Sequence, residues 1–317
     1  MPSPVSPSTP GRIAVVGSLN LDYFTRVDAL PRPGETVAAS KLTLFRGGKG
    51  ANQAVAAARQ GATVSLIGCV GADEGGAAYL RSLEEEGIAL DHVRVVPGET
   101  GSAFITVDRA GENMIVIAPG ANFELRRPEI QKARSLIESC DVLLCQFEVP
   151  TPALVEAIQI ANRAGVTVVI NPSPLHPAFP WEEILTDYLI ANETEAEALL
   201  GFEPTASATE EITERLRELR TNTLIVTRGG DPTLSFSREG AFHEVPVLTV
   251  LPVDTVGAGD AFAGCFSARI AQGTSLDSAL RAANCAGALT TLGAGAQDPM
   301  PGRGLVDQHE TFLPRHP

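Results

Sequence analysis

Short apolar runs alternate with amphipathic segments along most of the chain. Apolar runs at 12–18, 63–71, 142–145, 166–170, 188–190 and 224–227 predict buried strands. Segments with helical spacing of apolar positions begin near Gly50, Gly75, Arg127, Thr151, Trp181, Glu193 and Thr209, and helices rich in small residues are predicted at 257–272 and 275–291. Apolar strands that alternate with helices predict an α/β fold with a mostly parallel central sheet and helices on both faces.

Two separated segments have a different pattern, with short alternating runs broken by turn residues. Residues 23–45 contain Pro31 and Pro33, and strands at 93–96, 102–107 and 114–117 surround a hairpin turn at Gly111. These segments predict a small β-sheet lid, built from about 22–46 and 93–118, over the carboxyl edge of the main sheet. We expect one domain over residues 12–317, preceded by a Pro/Ser-rich disordered tail at 1–11 without the apolar core of a signal peptide.

The charge and the cysteines exclude several classes of protein. A formal net charge of −14 argues against nucleic acid and against an anionic membrane surface, which both require a basic face. Apolar runs of about 20 residues, which would span a membrane, do not occur. The five cysteines form no CxxC pair and are predicted to be buried reduced thiols, and the scattered histidines argue against zinc. We therefore expect a soluble cytoplasmic protein.

A glycine–lysine motif, FRGGKGANQAV, opens the first predicted helix. It lacks the first glycine and the Ser/Thr of a Walker-type loop, and G-x-G-x-x-G is absent as well. A turn that needs permissive backbone angles would explain its glycines alone. Lys49 is one of three lysines in the chain, however, and Asn52, Asn20 and Asp22 supply amide and carboxylate groups nearby. Such groups suit vicinal hydroxyls, so the motif favours a polyol site.

A second motif, VDTVGAGDAFAG, lies at the start of the helix predicted at 257–272. Gly257, Ala258 and Gly259 form a nearly bare turn whose free N–H groups would bind an anion with the help of the helix dipole. Asp260 in the first turn would serve as an ordinary N-cap, but that role does not explain the preceding glycines. A carboxylate beside an anion hole is what phosphoryl transfer to an alcohol requires.

Two weaker motifs are compatible with a nucleotide site. Asn192 and Glu195 lie one helical turn apart just after a strand, which suits contacts to phosphate or hydrated magnesium. A capping pattern with a solvated acidic face is the better explanation of this spacing when the motif is taken alone. The run IVTRGG ends another strand at a glycine turn, which is either a place for a nucleotide or an ordinary turn.

Taken together, these motifs resemble those of the ribokinase family of sugar and nucleoside kinases, over roughly residues 12–312. DTVGAGDAF matches the family's C-terminal signature and GGKGANQAVAAARQG its N-terminal one, while NETEAEAL and LLCQFEVP are similar to further family segments. The resemblance implies the α/β fold with a β lid that often forms a homodimer. It also implies ATP with Mg²⁺ as the phosphate donor and activation by K⁺ or a similar monovalent cation.

The resemblance assigns roles to individual residues. It implies Asp260 as the catalytic base and an anion hole at Gly257, Ala258 and Gly259. Positions that match contacts to ribose are Asn20, Asp22, Gly48, Lys49, Asn52, Glu148 and Asp260. Positions that match nucleotide contacts are Asn192, Thr227, Gly229, Gly259 and Asn284. The positions implied for metal ions are Glu195, through the water shell of Mg²⁺, and Asp254, Val256, Thr290, Gly293 and Gly295 around a monovalent cation.

The chain departs from the family pattern at two prolines. Pro232 stands where the nucleotide loop usually has a glycine, and Pro299 stands where the cation loop usually has a serine. The expected activity is ATP-dependent phosphorylation of D-ribose to ribose 5-phosphate. The alternatives are a kinase for deoxyribose, a hexose or a nucleoside, and a sugar sensor without catalysis, against which the intact Asp260 motif argues.

Overall fold

The computed structural model describes residues 10–314. Its strands are β1 (Arg12–Val16), β2 (Asn20–Arg26), β3 (Leu42–Gly47), β4 (Thr63–Gly71), β5 (Ala89–Val96), β6 (Gly101–Val107), β7 (Asn113–Ala118), β8 (Val142–Gln146), β9 (Thr167–Asn171), β10 (Thr186–Asn192), β11 (Thr221–Arg228), β12 (Asp231–Ser237) and β13 (Phe242–Val245). The helices are α1 (Lys49–Arg59), α2 (Glu74–Glu85), α3 (Arg127–Lys132), α4 (Arg134–Ser139), α5 (Thr151–Ala164), α6 (Glu193–Leu200), α7 (Thr209–Glu218), α8 (Ala258–Ala271), α9 (Leu276–Thr290) and α10 (Arg303–Glu310).

The central sheet of the described chain has nine strands in the order β13-β12-β11-β10-β9-β8-β1-β4-β5. The strands from β11 to β5 are parallel, and β12 and β13 extend the sheet as antiparallel strands. One apolar cluster packs α3–α7 on one face, and a second packs α1, α2 and α8–α10 on the other. Helices on both faces explain why strands such as β8 are apolar up to their last residue. The predicted fold class is confirmed.

The small sheet has the order β3-β2-β6-β7. β2 with β3 and β6 with β7 are antiparallel pairs, whereas the central pair β2–β6 is parallel. The prediction that residues 93–96 belong to this sheet is wrong, because β5 pairs with β4 at the edge of the main sheet. Leu90 and Val93 of β5 pack on the main core, while the rest of this edge strand is largely exposed and therefore resembles a lid strand in sequence.

Several local predictions differ from the structure. The helix expected near Trp181 is a three-residue 3₁₀ turn, after which the chain is extended again at Ile184 and enters β10. Helix α10, which has only one buried apolar residue, was not predicted. Of the predicted tail, residues 1–9 lie outside the described residues, while Gly11 is buried against Ala271.

Two predictions from composition can be compared with the fold. The five cysteines are all buried and unpaired, as predicted. Among the described helices, none has both the length and the apolar character needed to cross a bilayer.

Candidate active site

The glycine–lysine loop opens α1 in a backbone shape that only glycine allows. Gly48 is the N-cap with a φ of 86°, and a Cβ there would lie 2.6 Å from the backbone nitrogen of Asn20. A Cβ at Gly47 would lie 2.1 Å from Oδ2 of Asp22. These glycines therefore let the loop approach β2 closely, with the Asp22 carboxylate lying against it.

Hydrogen bonds fix the neighbouring polar groups. Glu148 Oε2 accepts a bond from Ser18 Oγ and another from the Lys49 backbone nitrogen at 3.0 Å, which anchors the start of α1. Asn20 is buried, and its Oδ1 accepts from Asn122 Nδ2 at 2.7 Å. The structure thus brings Asn20, Glu148 and Lys49 together around one loop.

The space between β2 and the glycine–lysine loop forms a polar cleft, and the charged side chains around it change one another's pKa. Burial, and after it the negative charges of Glu148 and Asp260, raise the pKa of Asp22 to about 7. Burial disfavours the charged form of Lys49, but the carboxylates of Asp260, Glu148 and Glu195 outweigh it and raise the lysine pKa. Lys49 therefore stays cationic among carboxylates, while Asp22 gains or loses its proton near neutral pH.

Asp260 lies in the first turn of α8 and is 7% exposed. Its Oδ2 accepts a hydrogen bond from Asn52 Nδ2 and its Oδ1 one from Gln53 Nε2, both at 2.9 Å. Each carboxylate oxygen therefore has one amide donor and keeps lone pairs for a further partner. Asn52, which was expected to contact the sugar, contacts the expected base in this structure.

The turn before Asp260 offers backbone donors to an anion. Gly257 has a φ of 79°, and a Cβ there would lie 2.7 Å from the Cα of Ala296. The N–H groups of Gly257, Gly259 and Asp260 make no hydrogen bond with the described residues, whereas Ala258 N–H donates to Thr255 O at 3.3 Å. A Cβ on Gly259 would meet no atom within 4 Å. The turn is therefore open to a ligand beside Gly259.

A cavity of about 220 Å³ joins this turn to the ends of β10 and β11. Seven of the predicted site residues line it: Lys49, Asn192, Glu195, Thr227, Gly257, Gly259 and Asp260. The remaining lining residues are Asn171, Ser173, Ile190, Ala191 and Thr255. The cavity lies at the carboxyl edge of the parallel strands, where open α/β sheets bind ligands.

The nucleotide-side predictions have mixed placements. Asn192 and Glu195 form a capping box at the start of α6, so the capping explanation of their spacing holds, although both also line the cavity. Gly229 lies in the exposed β11–β12 turn with a φ of 58°, and Pro232 follows it within β12. Asn284 is buried, and its Nδ2 donates to Val245 O and Pro246 O, which uses both amide hydrogens, while its Oδ1 accepts from Thr233 Oγ1. Asn284 therefore holds β13 and does not line the cavity.

The predicted cation loop is held together by Asp254. Its Oδ1 accepts from Val256 N and its Oδ2 from Gly295 N, both at 3.0 Å. A Cβ at Gly293 would lie 2.7 Å from Cβ of Pro299, so the unusual proline packs directly on this loop. Thr290 was also predicted to belong to this loop, and its hydroxyl donates to Ala286 O within α9.

The donors available in this loop limit how it could hold an ion. Among the described residues no group of three or more His, Cys, Asp or Glu could hold a metal ion. A cation here would thus rely on one carboxylate and backbone carbonyls, which are oxygen donors that suit a hard cation.

Sequence reasoning missed a set of buried polar residues behind Asp260. They are Gln53, Tyr79, Gln146, Asn171 and Gln297. Gln146 and Asn171 are the last residues of β8 and β9. A polar residue at the carboxyl end of an apolar strand is a signal that could have identified both.

Comparison with known proteins gives one consistent result. The model of the pfkB family of carbohydrate kinases matches residues 11–303. The chain is 36% identical to the ribokinase of Haemophilus influenzae, over 92% of this chain and 95% of that protein. It is 34% identical to the deoxyribokinase of Salmonella typhi, over 95% of this chain and 98% of that protein.

Solved structures agree with the sequence relatives. Arabidopsis thaliana ribokinase, solved in complex with ribose and ATP, is similar with a TM-score of 0.88 and 29% identity, covering 96% of this chain and 99% of that one. The ribokinase of Cryptococcus neoformans in complex with ADP has a TM-score of 0.81 and 32% identity, covering 95% and 99%.

Proposed function

Because the chain belongs to the pfkB family of carbohydrate kinases and transfers phosphate from ATP to a sugar, we propose that its acceptor is D-ribose, which becomes ribose 5-phosphate. The observation that carries this proposal is the position of the Asp260 carboxylate. It interacts with Asp22 and Lys49 of the polar cleft on one side and adjoins the free N–H groups of the α8 turn on the other. An acceptor hydroxyl and a phosphate can therefore meet at this residue.

In the proposed reaction the sugar binds against β2 and the glycine–lysine loop. Asn20, Asp22, Lys49 and Asn52 offer amide, carboxylate and ammonium groups to its hydroxyls, and Glu148 secures the loop. Asp260 accepts the proton of the 5-hydroxyl while that oxygen attacks the γ-phosphorus of ATP. The bond from phosphorus to the β–γ bridging oxygen breaks, and ADP leaves.

The backbone of the α8 turn stabilises the charge on the transferred group. The N–H groups of Gly257 and Gly259 lie at a helix start, where the dipole favours an anion, and the missing side chain at Gly259 leaves room for the phosphate. Asn192 and Thr227, which line the cavity, would contact the nucleotide. Gly229 and Asn284 lie outside the cavity lining, and Asn284 would hold β13 instead of the nucleotide.

Two cations fit residues of this site. Mg²⁺, when bound with the nucleotide, would neutralise charge on the β- and γ-phosphates, and Glu195 at the cavity wall would face its water shell. A monovalent cation would be held by Asp254 and by the backbone of Val256, Thr290, Gly293 and Gly295. Asp254 already joins Val256 to Gly295, so this loop is preorganised.

We also propose a homodimer through the lid. Leu44, Phe104 and Val116 lie in one row across the small sheet, through the register that includes Tyr23. Their exposed fractions are 54%, 50% and 58%. A row of exposed apolar side chains on a sheet favours burial against a partner.

The test is an enzyme assay with an ADP readout and a panel of acceptors. Ribose should give the highest kcat/KM among ribose, 2-deoxyribose, fructose and nucleosides, with higher rates in potassium than in sodium. Asp260→Asn should lower kcat by about 10²–10⁴-fold while calorimetry still detects ribose binding, because only the general base is lost. Preference for deoxyribose or a nucleoside would replace the proposed substrate. Sugar binding without ATP consumption by the wild type would favour the sensor alternative.

A further inference from the structure

Gln53 is fully buried beside Asp260, and each polar atom of its amide has a partner. Its Nε2 lies 2.9 Å from Asp260 Oδ1 and 3.1 Å from Asn171 Oδ1, which uses both amide hydrogens. Its Oε1 accepts from Gln146 Nε2 at 2.6 Å. If the Gln53 amide were reversed, its oxygen would face two other acceptor oxygens. The orientation of Gln53, with its nitrogen toward Asp260, is therefore determined by the surrounding groups.

The other oxygen of the carboxylate is held from the opposite side. Asn52 Nδ2 donates to Asp260 Oδ2, and Asn52 Oδ1 accepts from Gln297 Nε2 at 2.9 Å. Gln297 Nε2 also donates to the hydroxyl of Tyr79, which donates to the backbone oxygen of Gly47. Burial raises the pKa of Tyr79, so that hydroxyl remains a donor. Asp260 is thus held at both oxygens by groups whose orientation is fixed.

We propose that Gln53 is a positioning residue that fixes the Asp260 carboxylate with its free lone pairs toward the acceptor hydroxyl. Gln53 does not line the cavity and has no exposed surface, so it acts through Asp260 and not on a ligand. Gln146 Nε2 donates to Gln53 Oε1 and supports this orientation. The inference rests on the proposed function, in which Asp260 is the base.

Removing the Gln53 donor has two expected consequences. The carboxylate can rotate away from the geometry that proton transfer needs, which lowers kcat. Its negative charge also loses one charge-assisted hydrogen bond, which favours the protonated form and moves the acidic limb of the pH–rate profile to higher pH. A purely structural role for Gln53 would not move that limb.

The pH profile must be read against the other ionisable groups near Asp260. They belong to β2, α1, α2, the segment after β8 and α6, and none of them hydrogen-bonds the Gln53 side chain: Asp22, Lys49, Tyr79, Glu148 and Glu195. A profile shift in a Gln53 variant therefore reports the lost donor.

The experiment compares Gln53→Met with Gln60→Met. Methionine keeps the length of the side chain but cannot donate. Gln60 lies at the opposite end of α1 from Gln53 and is 1% exposed. Its side chain donates to Pro301 O and makes no hydrogen bond to Asp260. Gln60→Met therefore also removes a buried amide hydrogen bond, but not one to Asp260. Both enzymes are assayed with the sugar that the wild type phosphorylates fastest.

We expect Gln53→Met to lower kcat about tenfold to a hundredfold, as loss of one hydrogen bond to a charged group predicts, with the KM for the sugar within threefold of wild type. The acidic limb should move up by about one pH unit. Gln60→Met should keep the wild-type kcat and limb despite lower stability. Gln146→Met should change kcat and the acidic limb in the same directions as Gln53→Met, but by less. It replaces Gln53→Met in the test if that variant does not fold.

The outcomes separate this inference from the proposed function. If Asp260→Asn is inactive but Gln53→Met and Gln146→Met keep the wild-type kcat and acidic limb, Gln53 has no positioning role and the base assignment stands. If Asp260→Asn retains turnover, the base assignment itself fails. If Gln60→Met reproduces the limb shift, the effect is general to buried amides on α1, and the positioning role is overturned.

Discussion

The fold opposes ionisation of Asp22, and Asp22→Asn measures by how much. Burial, followed by the charges of Glu148 and Asp260, raises its pKa from the ordinary value of 3.8 to about 7. A rise of about three units, at about 1.36 kcal/mol each, means that the ionised side chain costs the folded state about 4 kcal/mol. We attribute this loss of stability to the proposed role of Asp22 in binding the sugar.

The sign of the effect with pH follows from proton binding. The folded state holds the Asp22 proton more tightly than the unfolded chain, so stability falls as pH rises from about 4 to about 7 and the loss is complete above that. Asparagine cannot ionise. Asp22→Asn should therefore exceed the wild type in unfolding free energy by about 2 kcal/mol at pH 5 and by about 4 kcal/mol at pH 8.

Urea unfolding of the ligand-free protein at both pH values is the assay. The matched control is Asp28→Asn, which replaces an exposed carboxylate paired with Arg109 at the surface. It should change the unfolding free energy by less than about 0.5 kcal/mol at either pH. An Asp22→Asn advantage that is equal at pH 5 and pH 8, or absent at pH 8, would refute the reasoning.

The same carboxylate predicts a pH dependence of sugar binding. Sugar hydroxyls that donate to the charged form favour it, so affinity should increase as pH rises through 7. Asp22→Asn should weaken sugar binding and remove this dependence. Calorimetric titration with ribose at pH 6 and pH 8 measures both.

Three further predictions concern the nucleotide side. Gly257→Ala should lose stability because its φ is positive and the new Cβ would collide with Ala296, whereas Gly259→Ala should fold normally and raise the KM for ATP at least tenfold; equal stabilities would contradict this. Asn284→Leu should lower the unfolding free energy by about 1–3 kcal/mol with the KM for ATP nearly unchanged, since it removes buried bonds to β13; the opposite pattern would indicate nucleotide contact. Free ATP should bind at least tenfold more weakly than ATP with Mg²⁺, because its phosphates would lie beside the carboxylates of Asp260 and Glu195, and such like-charge contacts cost several kcal/mol. Equal affinities by calorimetry would contradict this.

The main architecture could be predicted because its signal is local and repeated. Parallel strands covered on both faces are apolar along their middle, so short apolar runs were enough to predict β8 and β9. β5 was assigned to the wrong sheet because an edge strand is covered on one side only and alternates like a lid strand. α10 was not predicted because Val306 is its one buried residue, which leaves no apolar periodicity in the sequence.

The site could be predicted only where one short segment carries the chemistry. The turn at Gly257 and the loop at Gly48 each combine special backbone angles with polar groups, and that combination is visible in sequence. Gln53 and Gln297 were not predicted, because their partners lie far away along the chain and only the fold brings them together. Asn192 could not be decided from sequence, since a capping box and a ligand contact use the same atoms.

The charges of the cleft support the proposal that the glycine turn, and not a basic cluster, receives the phosphate. Among the residues that line the cavity, Lys49 is the cationic side chain, and it faces the carboxylates of Asp260 and Glu195. Its charge is thus already balanced before an anion enters. The remaining positive potential comes from backbone N–H groups at the start of α8, whose partial charge does not depend on protonation. The proposed base Asp260 can therefore lie directly beside the N–H groups proposed to bind the phosphate without neutralising them.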